Sequence, residues 1–131
     1  MVLNKKQALR LCAALIAIGV LAVPGAAVAQ KTAPPSFVAS PHVYLVSAQN
    51  KDYRIIRAFW EPGQRDKWHS HPEKGVFFMT NCSLRIYHPD GTHEDHYGIP
   101  AGYSMVQPPV ASHEVENIGP KICKLVMFEP K

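Results

Sequence analysis

Two histidines one residue apart, His69 and His71, stand between a polar loop (Gly63-Gln64-Arg65-Asp66-Lys67) and an apolar run (Val76-Phe77-Phe78-Met79). In a β-strand, residues i and i+2 face the same side. A strand carrying His-Ser-His therefore aims two imidazoles at one point, which is what a metal ion requires of its first two ligands. The remainder of the chain must supply a third ligand and the elements that hold all of them in place.

Those elements read as strands. After residue 30 no stretch shows sustained 3.6-residue periodicity with caps. Val43 to Val46 is a first apolar run, and Asn50-Lys51-Asp52 is a turn. Tyr53 to Trp60 is rich in β-branched and aromatic residues and ends at Glu61-Pro62-Gly63. The His-x-His strand and a strand over Val76–Thr80 are joined by the short connection Pro72–Gly75. Ser83 to Tyr87 alternates, and Pro89-Asp90-Gly91-Thr92 marks a hairpin. His93 to Ile99 is polar, Ser104 to Gln107 is short, and Ala111 to Asn117 and Ile122 to Phe128 close the chain. Short strands with turn signals every eight to twelve residues predict an all-β sandwich or small barrel.

The first 29 residues read as a cleavable signal peptide. Lys5, Lys6 and Arg10 form a basic n-region, Leu11 to Val23 an apolar h-region, and Ala27-Val28-Ala29 a small-x-small cleavage site before Gln30. The h-region is thirteen residues long, short of the roughly 20 needed to span a bilayer. Cleavage after Ala29 predicts a periplasmic or secreted protein with no stable membrane span. It also changes the charge. The three basic residues of the leader are among 14 in the chain, so eleven remain against ten acidic, and the net charge falls from +4 to +1. A balance so close to neutral gives no reason to expect nucleic-acid binding. The remaining 102 residues suffice for one small domain. Residues 30–41, rich in Pro, Ala and Ser, read as a flexible N-terminal segment, and residues 42–131 as the domain itself.

The spacing around the histidines is specific. Gly63, five residues, His69, one residue and His71 form one half-motif. Gly102, five residues, Pro108, then His113 and Asn117 form a second. This pair, in order and in an all-β chain of this size, resembles the cupin family over roughly Tyr53 to Glu129. The resemblance implies a double-stranded β-helix, or jelly roll, which folds two packed sheets against each other. It also implies that His69, His71 and His113 bind a divalent transition metal (Fe, Mn, Ni, Zn or Cu). Three converging imidazoles leave open positions on such an ion, as catalytic sites do.

Two departures from the family pattern matter. The family's glutamate, with three residues between it and the second histidine, is replaced here by Gly75, and the second half-motif's glycine by Val110. Glu73 is the candidate substitute ligand. A neutral three-histidine set resembles that of certain cupin dioxygenases, including thiol dioxygenases and a diketone-cleaving enzyme. It leaves the full charge on the ion, which favours anionic or chelating substrates. The resemblance thus implies a dioxygenase or related oxidoreductase acting on a small chelating substrate. The alternative is a non-catalytic metal- or small-ligand-binding module. Phe77 and Met79, sharing the strand parity of residue 75, are expected to line the cavity, with Met105 and Gln107 as further lining or supporting residues. In the jelly-roll topology the strand after the His-x-His turn lies antiparallel to the last strand, so Cys82 and Cys123 are the candidate disulfide, which an exported compartment permits. Family analogy also makes a homodimer the candidate assembly.

Overall fold

Asn50 Oδ1 accepts the backbone N–H groups of Asp52 and Tyr53 at 2.9 and 2.8 Å. This side-chain turn reverses the chain between strands β1 (Tyr44–Gln49) and β2 (Tyr53–Trp60). The computed structural model describes residues 31–131; the predicted signal peptide lies outside the described residues. Seven further strands follow: β3 (His69–His71), β4 (Lys74–Phe78), β5 (Cys82–Tyr87), β6 (His93–Ile99), β7 (Ser104–Gln107), β8 (Val110–Asn117) and β9 (Cys123–Pro130). They form two antiparallel sheets, one of order β1-β2-β9-β4-β7 and one of order β3-β8-β5-β6. After β3 the chain crosses from one sheet to the other at β4, β5, β7, β8 and β9, with only the β5–β6 hairpin staying within one sheet, which is the double-stranded β-helix expected from the sequence. Among the described residues no helix is long and apolar enough to cross a membrane.

The inner faces read off the alternation. In β9, Cys123, Leu125, Met127 and Glu129 are buried while their neighbours are partly or fully exposed. With Val43, Ile56, Trp60, Phe78 and Leu84 the apolar members form a single core between the sheets. Each such large side chain contributes about 1.5–3 kcal/mol by leaving water. Asn117, fully buried, closes the seam at the end of β8. Its Nδ2 donates to the carbonyls of Trp60 (3.0 Å) and Lys121 (2.8 Å), and its Oδ1 accepts from Gly119 N–H at 2.9 Å. The glycines that open the two half-motifs, Gly63 and Gly102, have φ of +77° and +85°. Those are left-handed turn conformations that glycine adopts without steric cost.

Cys82, the first residue of β5, and Cys123, the first of β9, are joined in a disulfide with Cα atoms 5.0 Å apart. The bond therefore ties one sheet to the other.

The segment before the domain differs from the flexible tail expected of it. Ala33 N–H donates to the Ala111 carbonyl at 2.9 Å, and Ser70 N–H and Oγ–H donate to the carbonyls of Pro34 and Ala33. A single helical turn, α1 (Ser36–Ala39), follows, and Ser40 Oγ accepts from Lys67 N–H at 2.9 Å. Residues 33–40 thus run along β3, the histidine strand. The compositional reading missed this because the contacts are long-range backbone bonds, which leave no local periodicity.

Candidate metal centre

His69 and His113 are direct cross-strand partners in the β3–β8 ladder, and His71 follows two residues on from His69. Facing positions of an antiparallel pair bring side chains within about 5.5 Å, and here three imidazoles point inward together. Ring centroids are 4.5 Å apart for His69–His113, 4.8 Å for His69–His71 and 5.3 Å for His71–His113. One nitrogen of each ring lies within 4.8 Å of the others. All three residues are buried, at 0, 5 and 8% exposure for His69, His71 and His113.

The hydrogen bonds select which nitrogen is free. His69 Nδ1–H donates to the Lys67 carbonyl at 2.7 Å, so its Nε2 carries the lone pair. His71 Nδ1–H donates to Glu129 Oε1 at 2.6 Å, which leaves Nε2 in the same role. His113 Nε2 is buried and has no hydrogen-bond partner. An orphaned buried nitrogen is costly unless something occupies its lone pair. Anchored Nδ1 atoms with Nε2 directed at a common point are the arrangement that orients metal-ligating histidines. The residues fit a divalent ion.

Burial also sets the charge of the rings. It pushes the His69 pKa down to about 4, and it holds His71 and His113 well below the usual imidazole range, with the positive charge of Lys74 adding to the effect. At neutral pH the three are uncharged, the form that binds metal.

A layer of polar groups stands behind the triad. Asp66 Oδ2 accepts from Tyr44 Oη–H at 2.7 Å and from Trp60 Nε1–H at 3.1 Å, and its Oδ1 accepts from Val115 N–H at 2.7 Å. The Tyr44 hydroxyl is 3.1 Å from His69 Nε2. Burial pushes the Asp66 carboxyl up to about 7 against the three donors that pull it down. Tyr44, Asp66, Lys74 and Glu129 were all missed by sequence reasoning.

Several expected site residues lie elsewhere. Phe77 and Met79 are 44 and 49% exposed on the outer face. The inward members of β4 are Lys74, Val76 and Phe78. Pro72 and Glu73 form an irregular link between β3 and β4, so parity counted from His71 slips by one residue. Glu73 sits in that link and is exposed, away from the triad. Gly75 faces outward, so the carboxylate missing from the motif is missing from a position that would not reach the histidines here. Gln107 lies with His71, Lys74 and His113 on an inner cavity of about 60 Å³. Met105 packs, half-buried, against the core at the wall of a larger pocket nearby.

No protein-family model and no curated protein matches the sequence. Solved structures do. A cupin domain from Bordetella pertussis Tohama I aligns with TM-score 0.59 at 23% identity, covering 76% of this chain and 96% of that one. An RmlC-like cupin with a double-stranded β-helix fold from Methanocaldococcus jannaschii aligns with TM-score 0.54 at 11% identity, covering 67% of this chain and 78% of the other. A protein with a double-stranded β-helix domain from Klebsiella pneumoniae gives 0.53 at 19% identity, covering 67 and 75%. At these identities the likeness is one of fold, and the fold is that of the cupins.

Proposed function

We propose, from a cupin fold closed around three buried histidines, that this chain is an exported protein in which His69, His71 and His113 hold a divalent transition metal for the binding and oxidation of a small chelating molecule. The observation that carries the metal assignment is the orphaned, buried Nε2 of His113 beside two imidazoles whose other nitrogens are already engaged. Iron, nickel, zinc and copper all suit imidazole ligands. The ion would supply a Lewis-acidic centre with positions left over for substrate. The protein's own part is to fix the rings, through Lys67 and Glu129, and to keep water out with the surrounding apolar side chains.

The oxidoreductase reading is supported by the all-histidine, carboxylate-free donor set. The rival, a non-catalytic metal- or ligand-binding module, is supported by the small size of the inner cavity, about 60 Å³. The two separate on oxygen uptake. Iron-loaded protein supplied in air with thiols and β-diketones is expected to consume oxygen above the metal-free control. A panel with no uptake, on protein shown to contain iron, favours the module.

Export is supported by the leader pattern, and by the cross-sheet disulfide, which belongs to oxidising compartments. A homodimer is supported by the apolar outer face of the larger sheet, where Phe77, Val106 and Phe128 are exposed. Native mass spectrometry of protein recovered from the producing cells reads both. A dimer of chains beginning at Gln30 is the expected species; monomers retaining residues 1–29 would contradict both.

A further inference from the structure

Lys74 is 3% exposed, and its Nζ is buried without a hydrogen-bond partner. A buried ammonium with no partner is among the least favourable groups a core can hold. Its side chain lines the inner cavity with His71, His113 and Gln107. The remaining lining residues are apolar or aromatic, with no carboxylate among them. Glu129, the acidic group whose charge acts on Lys74, is already bonded to His71 Nδ1, and no ion pair joins it to Lys74. The cavity therefore has a cationic group on its wall with no carboxylate in the lining and no bonded partner, offset only at a distance by Glu129. A divalent ion on neutral histidines adds to the same sign. What is missing from this arrangement is an anion supplied from outside.

The cavity also indicates the anion's size and body. Its volume is about 60 Å³, room for a carboxylate or a similarly small group. Phe78, Leu84, Ile86 and Gln107 line it and also line an adjoining, more open pocket of about 620 Å³, walled by Ile99, Tyr103 and Met105 among others. A charged head can sit inside while a short apolar body occupies the pocket beyond.

We propose that Lys74 is the specificity-determining residue of this site, and that its ligand is a small carboxylic acid whose carboxylate is shared between the Lys74 ammonium and the ion on the three histidines. This rests on the metal-binding reading above and names its substrate class. The amine is held near its task by burial, which lowers its pKa to about 8, with Glu129 opposing that shift.

The test uses the full chain loaded with cobalt(II), whose visible spectrum reports ligands entering the coordination shell. Butyrate and its neutral analogue butyramide are titrated into the wild type, Lys74→Met and Lys74→Gln, with metal content and thermal unfolding measured for each. The wild type is expected to bind butyrate more tightly than butyramide. Both variants are expected to fold, to keep their cobalt, to lose about 10- to 100-fold in butyrate affinity, as for a hydrogen bond to a charged group, and to bind butyramide as before. Equal butyrate affinity in cobalt-replete wild type and variants overturns the inference and leaves the metal reading intact. A wild type blind to butyrate does the same. Variants that lose cobalt, or that both fail to fold, show that the amine serves the ion or the fold, and overturn it too. A wild type that takes up no cobalt overturns the metal reading and this inference together.

Discussion

Reducing the Cys82–Cys123 disulfide is expected to lower the stability of the domain by about 4 kcal/mol, the chain-entropy value for closing a loop of this length. The two cysteines are 41 residues apart in sequence, and their bond spans the two sheets. The loop between them contains the rest of β5 and all of β6, β7 and β8, including His113. In the reduced unfolded chain that loop is free to open, and its added entropy weighs against folding. Both sulfurs lie in the core, with Cys82 and Cys123 at 3 and 0% exposure, so the thiols remain buried when the protein refolds reduced. For a domain near 100 residues a loss of this size moves the midpoint down by roughly 15–30 °C. Thermal melts of the oxidised protein, the reduced protein and a Cys82→Ala/Cys123→Ala variant measure it. A reduced protein melting within a few degrees of the oxidised one would show that the bond contributes little. Agreement between the reduced protein and the double variant separates the lost cross-link from reductant effects.

The second large effect is at Glu129. Replacing it with alanine is expected to weaken metal binding by about 10- to 100-fold, the range found for groups that orient ligating histidines. Glu129 is 1% exposed and holds His71 Nδ1 at 2.6 Å. Without it the ring is free to rotate or to place its proton on Nε2, and either removes a ligand from the common point. The loss also strands a buried N–H and leaves Lys74 with no acidic neighbour to offset its charge. Glu129→Gln retains an acceptor oxygen for the ring and should fall between alanine and the wild type. Competition against a chromophoric chelator gives the affinities. An alanine variant that competes as well as the wild type would show that His71 needs no such anchor.

The histidines were legible because their signal is local. His69-Ser70-His71 needs only the two-residue period of a strand, and the second half-motif carries its own turn glycine and terminal Asn117. Gly102 and Asn117 do in the structure what their residue types suggest: one takes a left-handed turn and the other bonds three backbone groups. Strand Tyr53–Trp60 was read to the residue because nothing irregular interrupts it. The reading failed at Pro72-Glu73, where two residues outside the ladder changed the parity of everything in β4. Phe77 and Met79 were assigned inward because they share the parity of residue 75, which faces outward here, and Lys74 was passed over.

Lys74 and Glu129 nonetheless left a trace in the sequence. Each is a charged residue on the apolar parity of its strand, Lys74 with Val76 and Phe78, and Glu129 with Leu125 and Met127. A charge at such a position is either a mistake in the register or a group with a task inside. What no local pattern could show is the pairing. Glu129 meets His71 across 58 residues, and Tyr44 meets Asp66 across 22. Both contacts exist only once the sheets have closed. The segment before the domain escaped for the same reason, since its bonds run to Ser70 and Ala111.

The account turns on the three histidines acting as one site for an ion. Its most direct test is the metal content, by elemental analysis, of protein purified without chelators and reconstituted under equal conditions, for the wild type and for His69→Ala/His113→Ala. The account predicts close to one divalent transition metal ion per chain in the wild type and a trace in the double variant, with both proteins folded by circular dichroism. Equal metal content in the two folded proteins would contradict it.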